Sequence, residues 1–428
     1  MKFASLAEWL DYLEQHLGES RIEMGLGRVG AVADTMGLRK PAQKCVLVAG
    51  TNGKGSTCVF IEALFLAAGF TVGCTLSPHL HAFNERVRVD GLPASDQLIA
   101  LAFNAVEQAR QQTRSSPHLS YFEFAFLAAL KVFKDQEVDI CVLEVGLGGR
   151  LDAANLVHPD VSVITSIGID HEDFLGHERE VIAIEKAGIM RRDIVCVYGE
   201  PDMPQSIGRC ARESGAKLLR SNVDFTQAQA VRNWSFIHGG EEKFSDLPLP
   251  SISVFNASTA IEATLQLIPL TREIIARACT TVDMPGRFEK ANYRGLKLLI
   301  DVAHNPHAAE FLKQMLSGEP VIRTVCIAGF LAGKDVSGIV RALKGIVDEW
   351  VFVDTGYPAN MTRAQTGTQS ANLAMKQLSS DNPRVNIQGS VKEALIYYLN
   401  ATHLPDRVVI MGSFDVVQKT HDLLKSEN

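Results

Sequence analysis

A glycine-rich stretch at residues 48–57, VAGTNGKGST, separates an apolar run from a segment with helical spacing. The run at 45–49 predicts a buried strand, and residues 56–68 predict a helix that ends at Gly69. Glycines allow backbone N–H groups to close around a phosphate, and a helix N-terminus adds a partial positive charge. The stretch therefore favours an α/β fold with a phosphate-binding loop between a strand and a helix.

This loop differs from the usual Walker pattern, in which Gly, four residues and Gly-Lys precede Ser or Thr directly. Val48 stands in the position of the first glycine, and Gly55 separates Lys54 from the hydroxyl residues. In a nucleotide site Lys54 would neutralise phosphate, and the hydroxyl of Ser56 or Thr57 would bind magnesium. The alternative is a simple turn between a strand and a helix.

Apolar runs alternate with helical patterns along the chain, which favours a largely parallel sheet covered on both faces by helices. In the first half, the runs at 140–145 and 161–167 are rich in β-branched residues and predict two more strands. After residues 284–288 the pattern restarts, with strand candidates at 296–302, 324–328, 350–353, 385–387 and 408–411. We therefore predict two α/β domains, 1–284 and 285–428.

The region 200–250 fits this alternation poorly. Its Pro248-Leu249-Pro250 is typical of a connection on the rim of the first domain. The chain contains no internal repeat and no low-complexity segment.

The amino-acid composition and the cysteine pattern indicate the general class of protein and its cellular compartment. The chain has 428 residues, of which 46% are apolar and 21% charged, and a net charge of −7 without a long basic run. This balance is ordinary for a soluble globular protein and argues against nucleic acid as a principal partner. The N-terminus shows helical spacing in place of a signal peptide, and no apolar run reaches membrane-span length. Because the eight cysteines are scattered without a CxxC pair, we expect free thiols and a cytoplasmic location.

Further motifs follow the glycine-rich stretch along the chain. They are LSPHL (76–80), NERVRV (84–89), YFEF (121–124), LEVGLGGRLDA (143–153), IDHEDFLG (169–176), EKAGI (185–189), PGRF (285–288) and DVAHNP (301–306). Taken in order, they span nearly the whole chain and resemble the bacterial dihydrofolate synthase/folylpolyglutamate synthase family of the Mur ligase superfamily. LEVGLGGRLDA and DVAHNP discriminate most against the other Mur ligases.

The resemblance implies a P-loop ATPase-type first domain with a mostly parallel sheet and a smaller, Rossmann-like second domain. It also implies an ATP-dependent amide ligase that adds L-glutamate to 7,8-dihydropteroate and then to the γ-carboxylate of reduced folates, through an acyl phosphate. A monofunctional folylpolyglutamate synthase is the nearest alternative, because it shares every ATP and metal residue. A Mur-type peptidoglycan ligase would carry a separate uridine-nucleotide domain before Gly50, and a nucleotide-dependent switch would not need a second metal site.

The resemblance assigns residues to ATP and to magnesium. The expected ATP contacts are Asn52, Gly53, Lys54, Gly55, Ser56, Asn256, Arg287, Asp301 and His304. Two magnesium ions are expected on Ser56, Ser77, Glu144, His171 and Lys186. The expected catalytic residues are Lys54, Glu144, His171 and Lys186. A cationic lysine would repel a metal, so the resemblance implies that Lys186 is carbamylated; an ordinary ion pair with an acid is the alternative. A monovalent cation is a further expected cofactor.

For the pterin, the matching residues are Arg21, Ile22, Glu23, Met24, Tyr121, Phe122, Glu123, Arg150, Leu151 and Asp152. A flat aromatic ligand suits stacking on Phe122 and a carboxylate at its donor edge, although Phe122 is equally suited to a core. Relatives often carry Thr-Ile-Asp-Leu at 21–24, so the contacts of that segment stay open, as does the role of Asp415. The expected partners are small molecules only, namely ATP, L-glutamate, dihydropteroate and reduced folates, bound by a monomer without nucleic acid or membrane.

Overall fold

The computed structural model describes residues 3–18, 23–318, 321–356, 364–376 and 384–427. The chain divides into two compact units, Met1–Asp283 and Met284–Asn428. The boundary expected at 284/285 lies beside this division.

A mainly parallel sheet forms the centre of the first unit. Its strands are β1 (Lys44–Ala49), β2 (Val72–Thr75), β3 (Val87–Val89), β4 (Leu92–Pro93), β5 (Ile140–Glu144), β6 (Val161–Ile164), β7 (Val195–Tyr198) and β8 (Lys217–Arg220). They lie in the order β4-β3-β2-β5-β1-β6-β7-β8, in which β3 is antiparallel to β2 and β4 and every other pair is parallel. The central strands are continuous apolar runs because helices cover both faces of the sheet. The predicted strands 45–49, 140–145 and 161–167 correspond to β1, β5 and β6.

The helices of the first unit follow the spacing of its apolar residues. They are α1 (Leu6–His16), α2 (Leu26–Met36), α3 (Lys54–Ala67), α4 (Asp96–Gln112), α5 (Tyr121–Asp135), α6 (Glu172–Leu175), α7 (Arg179–Ala187), α8 (Gln205–Ser214), α9 (Val254–Leu265) and α10 (Arg272–Thr281), with short 3-10 helices at Phe83–Arg86 and Ala153–Leu156. In α1 the side chains of Leu6, Trp9 and Leu13 are buried, as their helical spacing predicts.

The region 200–250, whose pattern was hard to interpret, consists mostly of regular structure. The region contains α8, β8 and three further strands, β9 (Phe225–Gln229), β10 (Asn233–His238) and β11 (Glu241–Pro248), which form a separate antiparallel sheet. Only two side chains of β10 are buried, those of Trp234 and Phe236, and much of β11 is exposed. Short, half-polar strands of this kind lack the continuous apolar run that marked the buried strands.

The second unit is a smaller α/β sheet. Its strands are β12 (Glu289–Tyr293), β13 (Leu296–Ile300), β14 (Thr324–Ala328), β15 (Glu349–Val353), β16 (Arg384–Gln388) and β17 (Arg407–Met411), and its helices are α11 (Pro306–Ser317), α12 (Val336–Ala342), α13 (Gly367–Met375), α14 (Val391–Leu399) and α15 (Phe414–Glu427). The order is β12-β13-β17-β14-β15-β16, parallel except for β12. The sequence missed β12, whose residues are mostly polar.

Two global features bear on the expected compartment. Each of the eight cysteines is a free thiol, as the scattered positions predict. In the described ranges, no helix combines the length and apolar character that crossing a membrane requires.

Candidate active site

The glycine-rich stretch forms a tight loop between β1 and α3. Gly50 and Gly53 have φ angles of +152° and +81°, which side chains rarely adopt. A Cβ at Gly50 would lie 1.8 Å from Oγ1 of Thr165, and one at Gly53 would lie 2.6 Å from Oδ1 of Asn256. Glycine is therefore required at both positions. The second contact also places Asn256, an expected ATP contact far away in the sequence, against the loop.

The segment that follows β6 holds this loop through several hydrogen bonds. The backbone N–H of Thr51 donates to the Ser166 carbonyl at 2.8 Å, and the Thr51 hydroxyl donates to the Gly168 carbonyl at 3.0 Å. The backbone N–H of Asn52 donates to the Ser166 hydroxyl at 3.1 Å. The Asn52 carbonyl accepts from the Thr165 hydroxyl at 2.6 Å. Sequence reasoning missed this segment, because no pattern links residues 51–52 to 165–168.

Two lysines converge on the same loop. Nζ of Lys54 donates to the carbonyls of Gly50 and Thr51 at 3.1 and 3.3 Å, and Nζ of Lys186 donates to the Gly50 carbonyl at 2.9 Å. Lys186 is buried, and its burial together with the neighbouring charge of Lys54 lowers its pKa to about 7. At neutral pH a large fraction of the molecules therefore carries Lys186 as a neutral amine, whereas an exposed lysine is almost entirely protonated.

Glu144 ends β5 next to the strand that leads into the loop. It is the register partner of Val48 on β1, and it is 5% exposed. Its Oε2 accepts from the backbone N–H of Ser77 at 2.7 Å, so the two expected metal ligands Glu144 and Ser77 are neighbours. Ser56 is buried in the first turn of α3. Polar groups at the carboxyl ends of parallel strands are where open α/β sheets bind their ligands.

These donors fit a magnesium ion bound jointly with phosphate. Among the described residues, no three His, Cys, Asp or Glu side chains are grouped to hold a metal by themselves. Magnesium usually takes one or two carboxylates and completes its shell with waters and substrate phosphates. Glu144, with the hydroxyls of Ser56 and Ser77, provides an oxygen donor set of that type beside the phosphate loop.

His171 lies just beyond the segment that holds the loop. It is exposed and directly precedes α6, with a φ angle of +54°, and its backbone N–H donates to Oδ1 of Asp170 at 2.9 Å. Burial and the charge of Lys54 lower the pKa of Lys186, and the charge of Asp170 opposes this shift. Asp170 was absent from the predicted set.

Part of the expected pterin set lies in the N-terminal segment. Arg21 and Ile22 fall outside the described residues. Glu23 forms an ion pair with Arg28 at 3.3 Å, and its Oε1 lies 3.4 Å from Nε2 of His118. Arg28, which lies outside the expected pterin set, also donates to Glu123 on α5.

Met24 and the loop after β5 lie together. The Cε atom of Met24 would be 3.7 Å from a Cβ placed at Gly148. The backbone N–H of the residue after Met24 donates to the Leu151 carbonyl at 3.2 Å. Arg150 is exposed and donates from Nη2 to Oε1 of Glu185 at 2.8 Å, which directs its guanidinium to α7.

The YFEF motif forms the first turn of α5. Phe122 is half-buried, and its ring lies over Gly146, where a Cβ would be 2.6 Å from its Cζ. Tyr121 is buried in the core. Glu123 is also buried, and its carboxylate accepts from the Ser120 backbone N–H at 2.8 Å and from Arg28 at 3.0 Å. Of the three, Phe122 presents a ring to the loop that follows Glu144.

Asp152 stabilises that same loop. One carboxylate oxygen accepts from the Leu147 backbone N–H and the other from that of Ala154, both at 2.9 Å. Burial raises the pKa of Asp152 to about 6. Its hydrogen bonds fix the turn that carries Arg150 and Leu151.

The expected nucleotide contacts of the second unit lie at the carboxyl ends of its strands. Asp301 follows β13, and its two oxygens accept from the backbone N–H groups of Phe288 and Ala303 at 2.9 and 2.8 Å. Burial raises the pKa of Asp301. Nδ1 of His304 donates to the Val302 carbonyl at 2.9 Å.

Arg287 and Asp415 both belong to the second unit, where Arg287 contacts Phe414 and Asp415 is the next residue in the chain. The guanidinium carbon of Arg287 is 5.3 Å from the centre of the Phe414 ring. Asp415 accepts from the Gly356 backbone N–H at 2.7 Å and pairs with Lys419 at 3.2 Å. The carboxylate of Asp415 therefore connects α15 to the loop after β15.

Comparison with known proteins places these features in a family context. Residues 48–195 match the Mur ligase middle domain, and residues 286–414 match the Mur ligase glutamate ligase domain. Dihydrofolate synthase/folylpolyglutamate synthase of Escherichia coli (strain K12) is 41% identical over 98% of this chain and 95% of its own length.

Two solved structures extend the comparison to ligands. The structure of E. coli FolC in complex with DHPP and ADP has a TM-score of 0.90 at 37% identity, covering 99% of this chain and 98% of that one. A bifunctional folylpolyglutamate synthase/dihydrofolate synthase with Mn, AMPPNP and L-glutamate bound has a TM-score of 0.87 at 39% identity, covering 98% of both chains.

Proposed function

Because the chain belongs to the dihydrofolate synthase/folylpolyglutamate synthase family of Mur ligases, we propose that it is an ATP-dependent amide ligase. It adds L-glutamate to 7,8-dihydropteroate and further glutamates to the γ-carboxylate of reduced folates. The observation that carries this proposal is the convergence of Lys54, Lys186 and the glycine loop beside the buried carboxylate of Glu144.

Amide formation from a free carboxylate requires activation, because carboxylate oxygen is a poor leaving group. We propose that the acceptor carboxylate attacks the γ-phosphate of ATP and that the glutamate amine then displaces phosphate from the acyl phosphate. Both steps bring anions together, so positioning and positive charge dominate the catalysis. The loop N–H groups and Lys54 bind and neutralise the phosphates.

Of the two solved relatives, one holds ADP and the other holds AMPPNP together with Mn. We propose that Glu144, Ser77 and Ser56 hold one magnesium ion and that His171 and a carbamylated Lys186 hold a second, with a monovalent cation as a further cofactor. When bound, the divalent ions would neutralise charge on the transferred phosphoryl group. Asn52, Gly53, Gly55 and Asn256 in the first unit, and Arg287, Asp301 and His304 in the second, are proposed to contact the nucleotide.

The activity is tested with the full-length protein by following ADP release and amide product together. We expect turnover only when ATP, magnesium, L-glutamate and a pterin acid are all present, with either dihydropteroate or a reduced folate as the acceptor. Turnover with folates but not with dihydropteroate would identify a monofunctional folylpolyglutamate synthase. Nucleotide binding without any amide product would identify a switch. The proposed monomer and its cytoplasmic location are separate predictions that this assay does not address.

Phe122→Ala is expected to lower the rate of dihydrofolate synthesis by about tenfold or more, because the substitution removes one stacking contact with the pterin. Dihydropteroate ends in a benzoate carboxylate, whereas a folate's γ-carboxylate lies several bonds further out. One γ-phosphate therefore meets both only if the pterin takes two positions, and we propose that Phe122 serves dihydropteroate alone. Initial rates with each acceptor measure the difference, and glutamate addition to a folate should change much less.

Phe244→Ala is a matched control for this substitution. Phe244 is also half-buried and stacks on Phe236 with ring centres 6.2 Å apart, compared with 6.1 Å between Phe122 and Phe126. Its loss should leave both rates near those of the wild type. Equal losses of the two reactions in Phe122→Ala would refute separate pterin positions.

A further inference from the structure

Helix α7 makes two contacts with this region. One end of the helix contacts the phosphate loop, and the other end contacts the segment 165–168, which holds that loop. In the last turn, Nζ of Lys186 donates to the Gly50 carbonyl at 2.9 Å. The first residue of the helix is Arg179, which reaches the segment 165–168 that holds the loop. The role of Lys186 belongs to the proposed reaction, but nothing in that reaction accounts for Arg179.

Four hydrogen bonds hold the guanidinium of Arg179. Its Nε donates to the Ile167 carbonyl at 2.7 Å. Its Nη2 donates to Oε2 of Glu200 at 3.1 Å and to the Asp202 carbonyl at 2.6 Å, and its Nη1 donates to the Asp202 carboxylate. The planar guanidinium thus connects the start of α7 to the residues that follow β7 and, through Nε, to the segment after β6.

Glu200 completes the hold on Ile167. Its Oε2 accepts from the Ile167 backbone N–H at 3.1 Å and from the Tyr198 hydroxyl at 3.2 Å. Both backbone polar groups of Ile167 are therefore bound by one ion pair, Arg179 with Glu200. The side chain of Ile167 is fully buried, so the residue cannot shift without breaking core packing as well.

The neighbours of Ile167 are the groups that shape the phosphate loop. Ser166 accepts from the Thr51 N–H and, through its hydroxyl, from the Asn52 N–H, while Gly168 exchanges hydrogen bonds with the Thr51 hydroxyl. A displacement of Ile167 would be transmitted to these contacts on either side. Small displacements of positioning groups can cost large factors in catalysis.

We propose that Arg179, anchored by Glu200, is a positioning residue that holds the phosphate loop in its nucleotide-binding conformation before ATP arrives. The ion pair fixes Ile167, the segment 165–168 fixes Thr51 and Asn52, and the loop N–H groups are then in place without an ordering cost at binding. This inference rests on the proposed ATP-binding role of the loop.

The test measures nucleotide binding directly, apart from ligation. A fluorescent ATP analogue with magnesium is titrated into the full-length protein without glutamate or pterin, and the dissociation constant is read from anisotropy. Arg179→Met should raise that constant about tenfold, as expected for losing several charge-assisted hydrogen bonds behind the loop. The steady-state KM for ATP should rise in parallel, with the KM for glutamate little changed.

Arg272→Met is the matched control. Arg272 is likewise the first residue of its helix, and it donates to the backbone carbonyls of Ser245 and Asp246 in the separate antiparallel sheet. The substitution should lower the melting temperature by an amount similar to that in Arg179→Met, but it should leave the nucleotide dissociation constant unchanged. Arg179→Lys keeps the positive charge but loses the planar guanidinium. Its nucleotide dissociation constant should lie between those of the wild type and Arg179→Met. If Arg179→Met does not fold, Arg179→Lys and Glu200→Gln carry the same comparison.

An unchanged dissociation constant in folded Arg179 variants would overturn the proposal and leave Arg179 a purely structural residue. An equal rise in Arg272→Met would overturn it too, because the effect would then reflect general destabilisation. Failure of the proposed function gives a different pattern, since the wild type would then bind the nucleotide and form no amide, or bind no nucleotide in any variant.

Discussion

Glu144→Gln is expected to reduce turnover by at least about 100-fold, because even outer-shell partners of a metal cost roughly 10- to 100-fold when changed. The substitution removes one negative charge at nearly constant size, at the carboxyl end of β5 and beside Ser77. A weaker magnesium site leaves the phosphates less neutralised in the transition state. Initial rates over a range of magnesium concentrations measure the effect, and the concentration needed for half-maximal rate should rise.

Glu107→Gln controls for the loss of a buried carboxylate. Glu107 lies on α4, is 5% exposed like Glu144, and pairs with Arg110 outside the candidate site. This variant should lose stability but keep its magnesium dependence. Near-normal turnover of Glu144→Gln at saturating magnesium would remove Glu144 from the metal site.

Lys186→Ala is expected to be nearly inactive, with a loss of about 100-fold or more on the same scale as a metal ligand. Lys186 is buried and its pKa is lowered to about 7, so the neutral amine that reacts with CO2 is well populated at neutral pH. The carbamate is an anion, which resolves the repulsion between a lysine and a metal. We expect the carbamate signal in NMR spectra of protein prepared with isotopically labelled bicarbonate, and partial rescue of Lys186→Ala by a short carboxylic acid.

Lys186→Arg separates the carbamate from a simple cation. Arginine stays charged and does not form a carbamate under these conditions, but it retains donors for the Gly50 carbonyl. We expect this variant to be as inactive as Lys186→Ala and to gain nothing from CO2. The sign of the pH effect follows from the lowered pKa: below about pH 7 more of the side chain is ammonium, so removal of CO2 should impair the wild type more strongly there. Full activity of Lys186→Arg would show that a positive charge alone suffices.

The strands that could be predicted from the sequence are those that are apolar along their length and buried on both faces of the sheet. The run 324–328 coincides with β14, and 45–49 lies within β1, because strands buried on both faces must be apolar throughout. The antiparallel strands β10 and β12 escaped prediction because they bury only some of their side chains. Their stability depends on partners that the local sequence does not identify.

The candidate site divides in the same way. The glycine loop could be predicted because φ angles such as that of Gly53 are a local demand on one residue. Glu123 is expected to contact the pterin, yet the fold gives its carboxylate two protein partners, Ser120 and Arg28. The pterin contact of Glu123 remains a prediction, and a bound pterin would share this carboxylate with Ser120 and Arg28.

The sequence by itself determined the α/β class, the phosphate loop and the family, since motifs and periodicity are properties of short segments. Only the tertiary structure decided which distant groups meet: Asn256 against Gly53, Thr165 against Gly50, and Arg179 on Ile167. These contacts depend on strand order and on where each crossover returns the chain. The free energy that sets that order is summed over the whole core, so no short stretch of residues encodes it.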